Sequence, residues 1–314
     1  MSDTCKVLAL HLGLIALLFA LNWVLPAYHH GNLARIMVLA VFAMGYNLLF
    51  GYTGLLSLGH AMFFAAGVYG MGLSMRHLGW APDLALLAGL GAGLVLALVV
   101  GALALRTIGV AFMIVTLMFA QSVFLASLYF GEWTRGDEGF VIQQAERVMW
   151  GIDLSSPDAR YLAAWVLFSA TLILTLWLVR APFGRVLVAI RENDARAVML
   201  GYNTYLRKLG AVAVSGTIAA ASGAMYGLLF GYVGASFAGV QYSILPLLWV
   251  LLGGAGTLLG PFVGALFTFY LIDIASGFTD TYLLVVGGVL IALTLFARQG
   301  IMGELRARWL RWLP

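Results

Sequence analysis

The sequence is short of charge. Asp, Glu, Lys and Arg together make up 10% of the 314 residues, against about 25% in a soluble globular domain. With 63% hydrophobic residues and a mean hydropathy of +1.00, too little polar side chain remains to coat a particle in water, so a soluble fold is excluded. Cysteine is nearly absent: Cys5 stands alone, which rules out an intrachain disulfide and any cysteine-based metal site. Only two lysines occur, neither follows a glycine, and a GxxxxGK[ST] phosphate loop is missing. Carboxylates avoid the apolar runs. Asp273 is the one well inside a run, and it lies close to the run's end. An ion-coupled carrier would be expected to hold ionisable groups near the membrane midplane, where this sequence offers His60 and the neutral Asn47 and Gln121.

What is present is apolar length. Runs near the ~20 residues that cross a ~30 Å hydrocarbon core recur at 7–25, 35–50, 55–75, 83–105, 108–130, 161–179, 209–230, 242–258, 261–276 and 281–297. The fold expected is all-α: a polytopic transmembrane helical bundle of about 10 spans with interrupted helices, in a single domain over residues 1–314. The first run, Val7 to Leu25, is longer than a signal h-region and no small-x-small triplet follows it, so it reads as a retained span. Eight spans plus a re-entrant hairpin over 242–276 would keep the same topology.

Charge bias orients the bundle. The linker from Gly131 to Arg160 sets three arginines against six acids, and the linker from Arg180 to Lys208 sets six basic residues against two acids. The first is expected outside and the second in the cytoplasm together with the basic tail at 298–314 carrying Arg298, Arg306, Arg308 and Arg311. Ten spans then put both termini inside.

Two places should break the helices. Gly253, Gly254, Gly256 and Gly260 with Pro261 interrupt one apolar region, and Gly51 and Gly54 interrupt another. Irregular backbone at membrane depth survives where protein or a watery cavity satisfies it, and paired interruptions point to transport sites; the alternative is a pair of ordinary tight turns. Ser57, His60 and Asn47 are candidate polar lining of such a path. A Ser57–His60 pair could suggest hydrolysis, but no acid partner or oxyanion motif is near it. Small residues fall every fourth position along Ala211, Ser215, Ala219, Gly223, Gly227 and Gly231, a stripe suited to close helix packing within the chain or against a second subunit.

The segment RENDARAVMLGYNTYLRKLG, residues 191–210, is the most polar in the chain. Asp194 is expected to cap a short helix from Ala195 to Leu200, with Gly201 as its left-handed stop. Ala197 would admit a groove wall, with Glu192 and Arg196 making polar contacts around it. A solvated loop with the usual inward charges is the competing reading.

The order Ala195, Arg196, Ala197, three residues, Gly201 resembles the loop by which ABC-importer permeases dock on their ATPases. Four further stretches are similar to branched-chain amino-acid permeases: GYNLLFGYTGLLSLGHAMFFAAGVYG from Gly45, RTIGVAFMIVTLMFAQ from Arg106, TRGDEGF from Thr134 and LLGGAGTLLGPFVGALF from Leu251. Arg135 departs from a common glycine, Ala111 from a common aromatic, and a proline common near Ala297 is missing. The resemblance implies a permease subunit in a bacterial inner membrane, without an enzymatic activity, cofactor or metal of its own. It works with two cytoplasmic ATPases, a second homologous permease and a periplasmic binding protein, in contact with membrane lipid and not with nucleic acid. On this reading Glu192, Asp194, Arg196, Ala197 and Gly201 couple to the ATPases, and Asp137 and Glu138 are candidate docking residues for the binding protein. Branched-chain or other amino acids are the expected substrates. Urea, short amides and aromatic acids are alternatives in the same importer class.

Overall fold

The computed structural model describes residues 3–297 and 299–308; Arg298 and Arg311 of the tail lie outside the described residues. The chain is mostly helical. In order, the helices are α1 (Asp3–Leu21), α2 (Ala27–Asn47), α3 (Ala61–Leu78), α4 (Pro82–Ala104), α5 (Val110–Tyr129), α6 (Gly131–Thr134), α7 (Pro157–Arg180), α8 (Pro182–Glu192), α9 (Asp194–Met199), α10 (Thr204–Phe230), α11 (Val240–Gly253), α12 (Gly260–Phe278), α13 (Tyr282–Phe296) and α14 (Gly300–Arg308). Proline opens α4, α7, α8 and α12, where its missing N–H is one that no helix could satisfy anyway.

Among the described residues, six helical stretches are long and apolar enough to cross a membrane: Ala27–Tyr52, Pro82–Ala104, Val110–Tyr129, Pro157–Arg180, Thr204–Phe230 and Gly260–Phe278. Three apolar helices are shorter: Cys5–Leu21, Val240–Gly253 and Leu284–Leu293. The expected count of about 10 is therefore not carried by length and composition. The run at 242–258 yields a helix of 14 residues, about 21 Å at 1.5 Å per residue, because the glycines from Gly253 onward stop it. The run expected from Leu55 becomes helical only at Ala61.

The linker at 131–160 is not featureless. It contains β1 (Phe140–Val141), β2 (Val148–Met149) and β3 (Ile152–Asp153), and β1 pairs antiparallel with β4 (Tyr232–Val233) beyond the end of α10, in the register Phe140↔Val233. β2 and β3 form their own small hairpin. These strands lie at the ends of helices and leave the membrane body helical.

Helix α10 packs on α2, α3 and α4, and α2 in turn packs on α7, α11 and α12. The small-residue stripe of α10 is buried inside this arrangement: Ala211, Ser215, Ala219, Gly223 and Gly227 are all covered. A Cβ on Gly223 would overlap the Phe64 carbonyl, and one on Gly227 would lie 2.7 Å from the Met71 methyl. The reciprocal glycines are on the neighbours, since a Cβ on Gly67 would overlap the Ala220 carbonyl. With backbones this close, hydroxyls reach carbonyls of the next helix: Ser215 Oγ donates to Gly45 (2.5 Å) and Ser222 Oγ to Val38 (2.6 Å). Such contacts replace the hydrophobic drive that is missing between helices in lipid.

Gly67→Ala is expected to lower the thermal unfolding midpoint of the detergent-purified protein, at a cost of about 1–3 kcal/mol or more for overpacking. Gly91, on α4, has open space at its Cβ position; Gly91→Ala should leave the midpoint unchanged or raise it, by up to about 1 kcal/mol of helix preference.

Candidate functional site

At the end of the bundle that carries the basic linker, the two interruptions meet. After α2 the chain widens into a single π-turn, Leu48–Tyr52, then runs without helix to His60. Opposite it lies the break between α11 and α12. Asn47 holds the two together: its Nδ2 donates to the Thr257 carbonyl (2.9 Å) and its Oδ1 accepts from Gly256 N–H (2.9 Å). Gly51 comes so close that an added Cβ would lie 2.5 Å from Gly256 N. Gly256 has φ +74°, a conformation strained for any residue with a Cβ.

Arg191, in the last turn of α8, donates from Nη1 to the Gly51 carbonyl and lies beside Gly256. The polar loop is thereby tied to both broken helices. An open cavity of about 770 Å³ lies beside this junction, lined by Arg191, Gly256, Thr257, Gln299 and Arg306 among others.

The other proposed lining residues are not open. Ser57 and His60 are buried. Ser57 Oγ accepts from Gly59 N–H (3.2 Å), and His60 Nε2 meets Ser215 Oγ at 3.2 Å. They do not share a helical face, because Ser57 precedes the helix. The His60 ring is packed among Phe42, Tyr46 and Phe63. Among the described residues no carboxylate pairs with it, and its Nε2 faces Ser215 and not Ser57. Gly253, Gly254 and Gly260 are buried with Pro261 at the α11–α12 turn, where Thr257 Oγ1 donates to the Gly254 carbonyl (2.7 Å).

The basic loop departs from expectation in two places. Asn193, not Asp194, caps α9, its Oδ1 accepting from Arg196 N–H (2.9 Å). Asp194 is the first helical residue and pairs with Lys208 on α10 (Oδ2–Nζ 2.6 Å). Asn193 wins the cap because its backbone is extended (φ −162°, ψ 103°), as a cap requires. Ala197 offers nothing to a groove: it is 1% exposed, packed against Val186 and Ile190 of α8. Gly201 does end the segment, at φ +87°. Glu192 and Arg196 are exposed, and so are three apolar residues that pattern reading passed over: Val198, Met199 and Leu200, with Met199 85% exposed. Three apolar residues in a row on a six-residue helix carry no periodic signal, so only the placement of Ala197 inward reveals them as the outer face.

At the opposite end, Asp137 and Glu138 are exposed. Glu138 borders a cavity of about 550 Å³ with Arg76, Arg135, Phe140 and Glu146. Arg135 has φ +63°, a left-handed conformation that favours glycine. The linker is pinned by Arg147, buried, whose Nη1 donates to the Leu229 carbonyl (3.2 Å). Hydrogen bonds from Ser155, hydroxyl first and N–H second, hold the Asp153 carboxyl below its usual range. Arg35, on α2, was also missed. It is exposed between buried residues of α2, its guanidinium 5.0 Å from the Phe230 ring, and Arg160 approaches the same ring at 5.6 Å.

The profile of the family described as branched-chain amino acid transport system / permease component matches residues 30–294. The chain belongs to this permease family. It is 27% identical over 293 residues to the high-affinity branched-chain amino acid transport system permease protein LivM of Salmonella typhimurium strain LT2, covering 85% of this chain and 68% of that protein. It is likewise 27% identical over 294 residues to LivM of Escherichia coli strain K12, with the same coverage. No solved structure matches the chain. In this permease the matched region takes in both interruptions, the Arg191 tie and both charged linkers, while α1 and α14 lie outside it.

Replacing Asn47 by Leu in this permease leaves Gly256 N–H and the Thr257 carbonyl buried without partners, at about 1–3 kcal/mol each. The expected result is a lowered unfolding midpoint in detergent. Arg191→Gln removes a contact near the surface and is expected to lower the midpoint much less.

Proposed function

We propose that this chain is the translocation subunit of an importer for branched-chain or other amino acids, driven by ATPase subunits that it does not itself contain. The observation that carries the reading is mechanical. Helix α9 turns Val198, Met199 and Leu200 outward, is clamped to α10 by Lys208–Asp194, and adjoins α8, whose Arg191 holds the Gly51 carbonyl between the broken helices. A helix of six residues is not stable alone, so a push on α9 is transmitted to α8 and α10 instead of being absorbed.

In this scheme the basic linker and both termini face the cytoplasm of a bacterial cell, the chain crosses the inner membrane about 10 times, and α3 and the three shorter apolar helices complete crossings inside the assembly. Two ATPases bind from below, one beneath each of two related permeases. A periplasmic binding protein docks on the acidic linker, where opposite charge would steer the encounter. Glu192 and Arg196 form the polar rim around the apolar contact at Met199. Ala197 and Gly201 set the shape of the coupling helix from within. The junction around Gly51, Gly54, Gly253 and Gly256 opens as the adjoining helices rock, with the buried Asn47, Ser57 and His60 exposed in turn.

Met199→Glu is expected to weaken co-purification of the ATPase subunits about thirtyfold, the loss of an interface anchor contributing roughly 2 kcal/mol, while the permease remains folded; unchanged association would remove α9 from the interface. Asp137→Lys with Glu138→Lys should reduce uptake most at low salt, where screening is weakest. Salt-independent, undiminished uptake would discard the acidic dock.

A further inference from the structure

A further cavity lies on the same three helices that carry the breaks, toward their other end, and it has clear ligand character. It has a volume of about 290 Å³ between α2, α11 and α12, with walls formed chiefly by Leu39, Leu245, Trp249, Phe269 and Ile272. Three polar side chains interrupt these walls, Thr268, Asp273 and Ser276, the last donating to the Asp273 carbonyl (2.9 Å). Asp273 lies near the C-terminal end of α12, and Thr268 lies five residues deeper, about 7 Å along the helix axis. The Tyr28 hydroxyl donates to Asp273 Oδ1, and no Lys, Arg or His forms an ion pair with this carboxylate among the described residues. Thr268 is 3% exposed and its Oγ1 has no hydrogen-bond partner among the described residues. A carboxylate met by one hydroxyl and by no cation, on the wall of an apolar cavity within a span, is costly unless something pairs with it.

We propose that this cavity holds the transported amino acid, with its ammonium on Asp273 and its aliphatic side chain against Leu39, Leu245 and Phe269; this rests on the importer reading given above. The volume is at the small end of ligand pockets, roughly 300–1,000 Å³, which suits a molecule of leucine's size. Tyr28, Asn32, Arg35 and Leu39 form the partly open stripe of α2, with the Arg35 guanidinium on the Phe230 ring. An acyl chain would fill the apolar part of the cavity but bring no cation to Asp273. Urea would leave the apolar walls uncovered.

The test uses the complete importer in proteoliposomes, with Cys5→Ser and Phe269→Cys so that the cavity carries the permease's one thiol. L-Leucine is expected to slow maleimide labelling at position 269 at least about fivefold, and 4-methylpentanoate, which lacks only the ammonium, is expected to give no protection. Adding Asp273→Asn should abolish protection by leucine, whereas Tyr28→Phe, which loses the same hydrogen bond but keeps the charge, should retain it. Equal protection by leucine and 4-methylpentanoate, or labelling that changes only with the phospholipid used, would overturn the assignment as a purely apolar or lipid-filled cavity. The comparison of the two ligands needs no change at Asp273, so a misfolded Asp273→Asn variant does not decide the outcome. ATP-dependent leucine uptake by the unmodified importer is measured in parallel. Its absence would count against the importer reading, and its presence without protection against this site alone.

Discussion

A backbone that leaves the helical path inside a membrane has no water to satisfy it, and here the Asn47 carboxamide takes that role. It gives one donor and one acceptor to the break between α11 and α12, at Thr257 and Gly256. Because Asn47 itself ends α2, the same contact sets the distance between the two broken segments. The close approach of Gly51 to Gly256 and the Arg191 tie follow from that distance. Without the bridge, two irregular segments would have to find separate partners in a medium that offers none.

From this junction the molecule divides its tasks by depth. The basic end is a linkage: α8, α9 and α10 are joined by an ion pair, a small apolar cluster and a helix cap. The acidic end is held more loosely, by a two-residue strand pairing and a buried arginine on a carbonyl. The middle is glycine and alanine on α3, α4 and α10, packed backbone against backbone. Close packing in the middle with polar ties at each end suits the rocking proposed above, since motion at one face must reach the other without dissipating between them.

Much of this was legible beforehand, and the failures are informative. The interruption at Gly253–Pro261 was visible because glycine and proline act through local backbone preference, which tertiary contacts seldom overrule. The cap on α9 was misassigned by one residue because Asn193 and Asp194 are both good caps, and only the backbone angles choose between them. Ala197 was read as a contact for a partner on the strength of its size, but size does not say which way a side chain faces. Asp273 was placed correctly near the end of its span, yet its cavity depends on Leu39 and Leu245, distant in sequence and on other helices.

By itself the sequence determined the solvent, the helical character, the two breaks, the charged ends and the family, because each rests on composition or on short-range pattern. Which residues meet was decided only by the tertiary structure. The bridge from Asn47 to Gly256 and the reach of Arg191 to Gly51 join positions more than a hundred residues apart. The physical reason is that an apolar helix in lipid carries little amphipathic signal: all its faces are greasy, so the face that turns inward is selected by the fit of small residues and by hydrogen bonds to neighbours, neither of which a single helix can display.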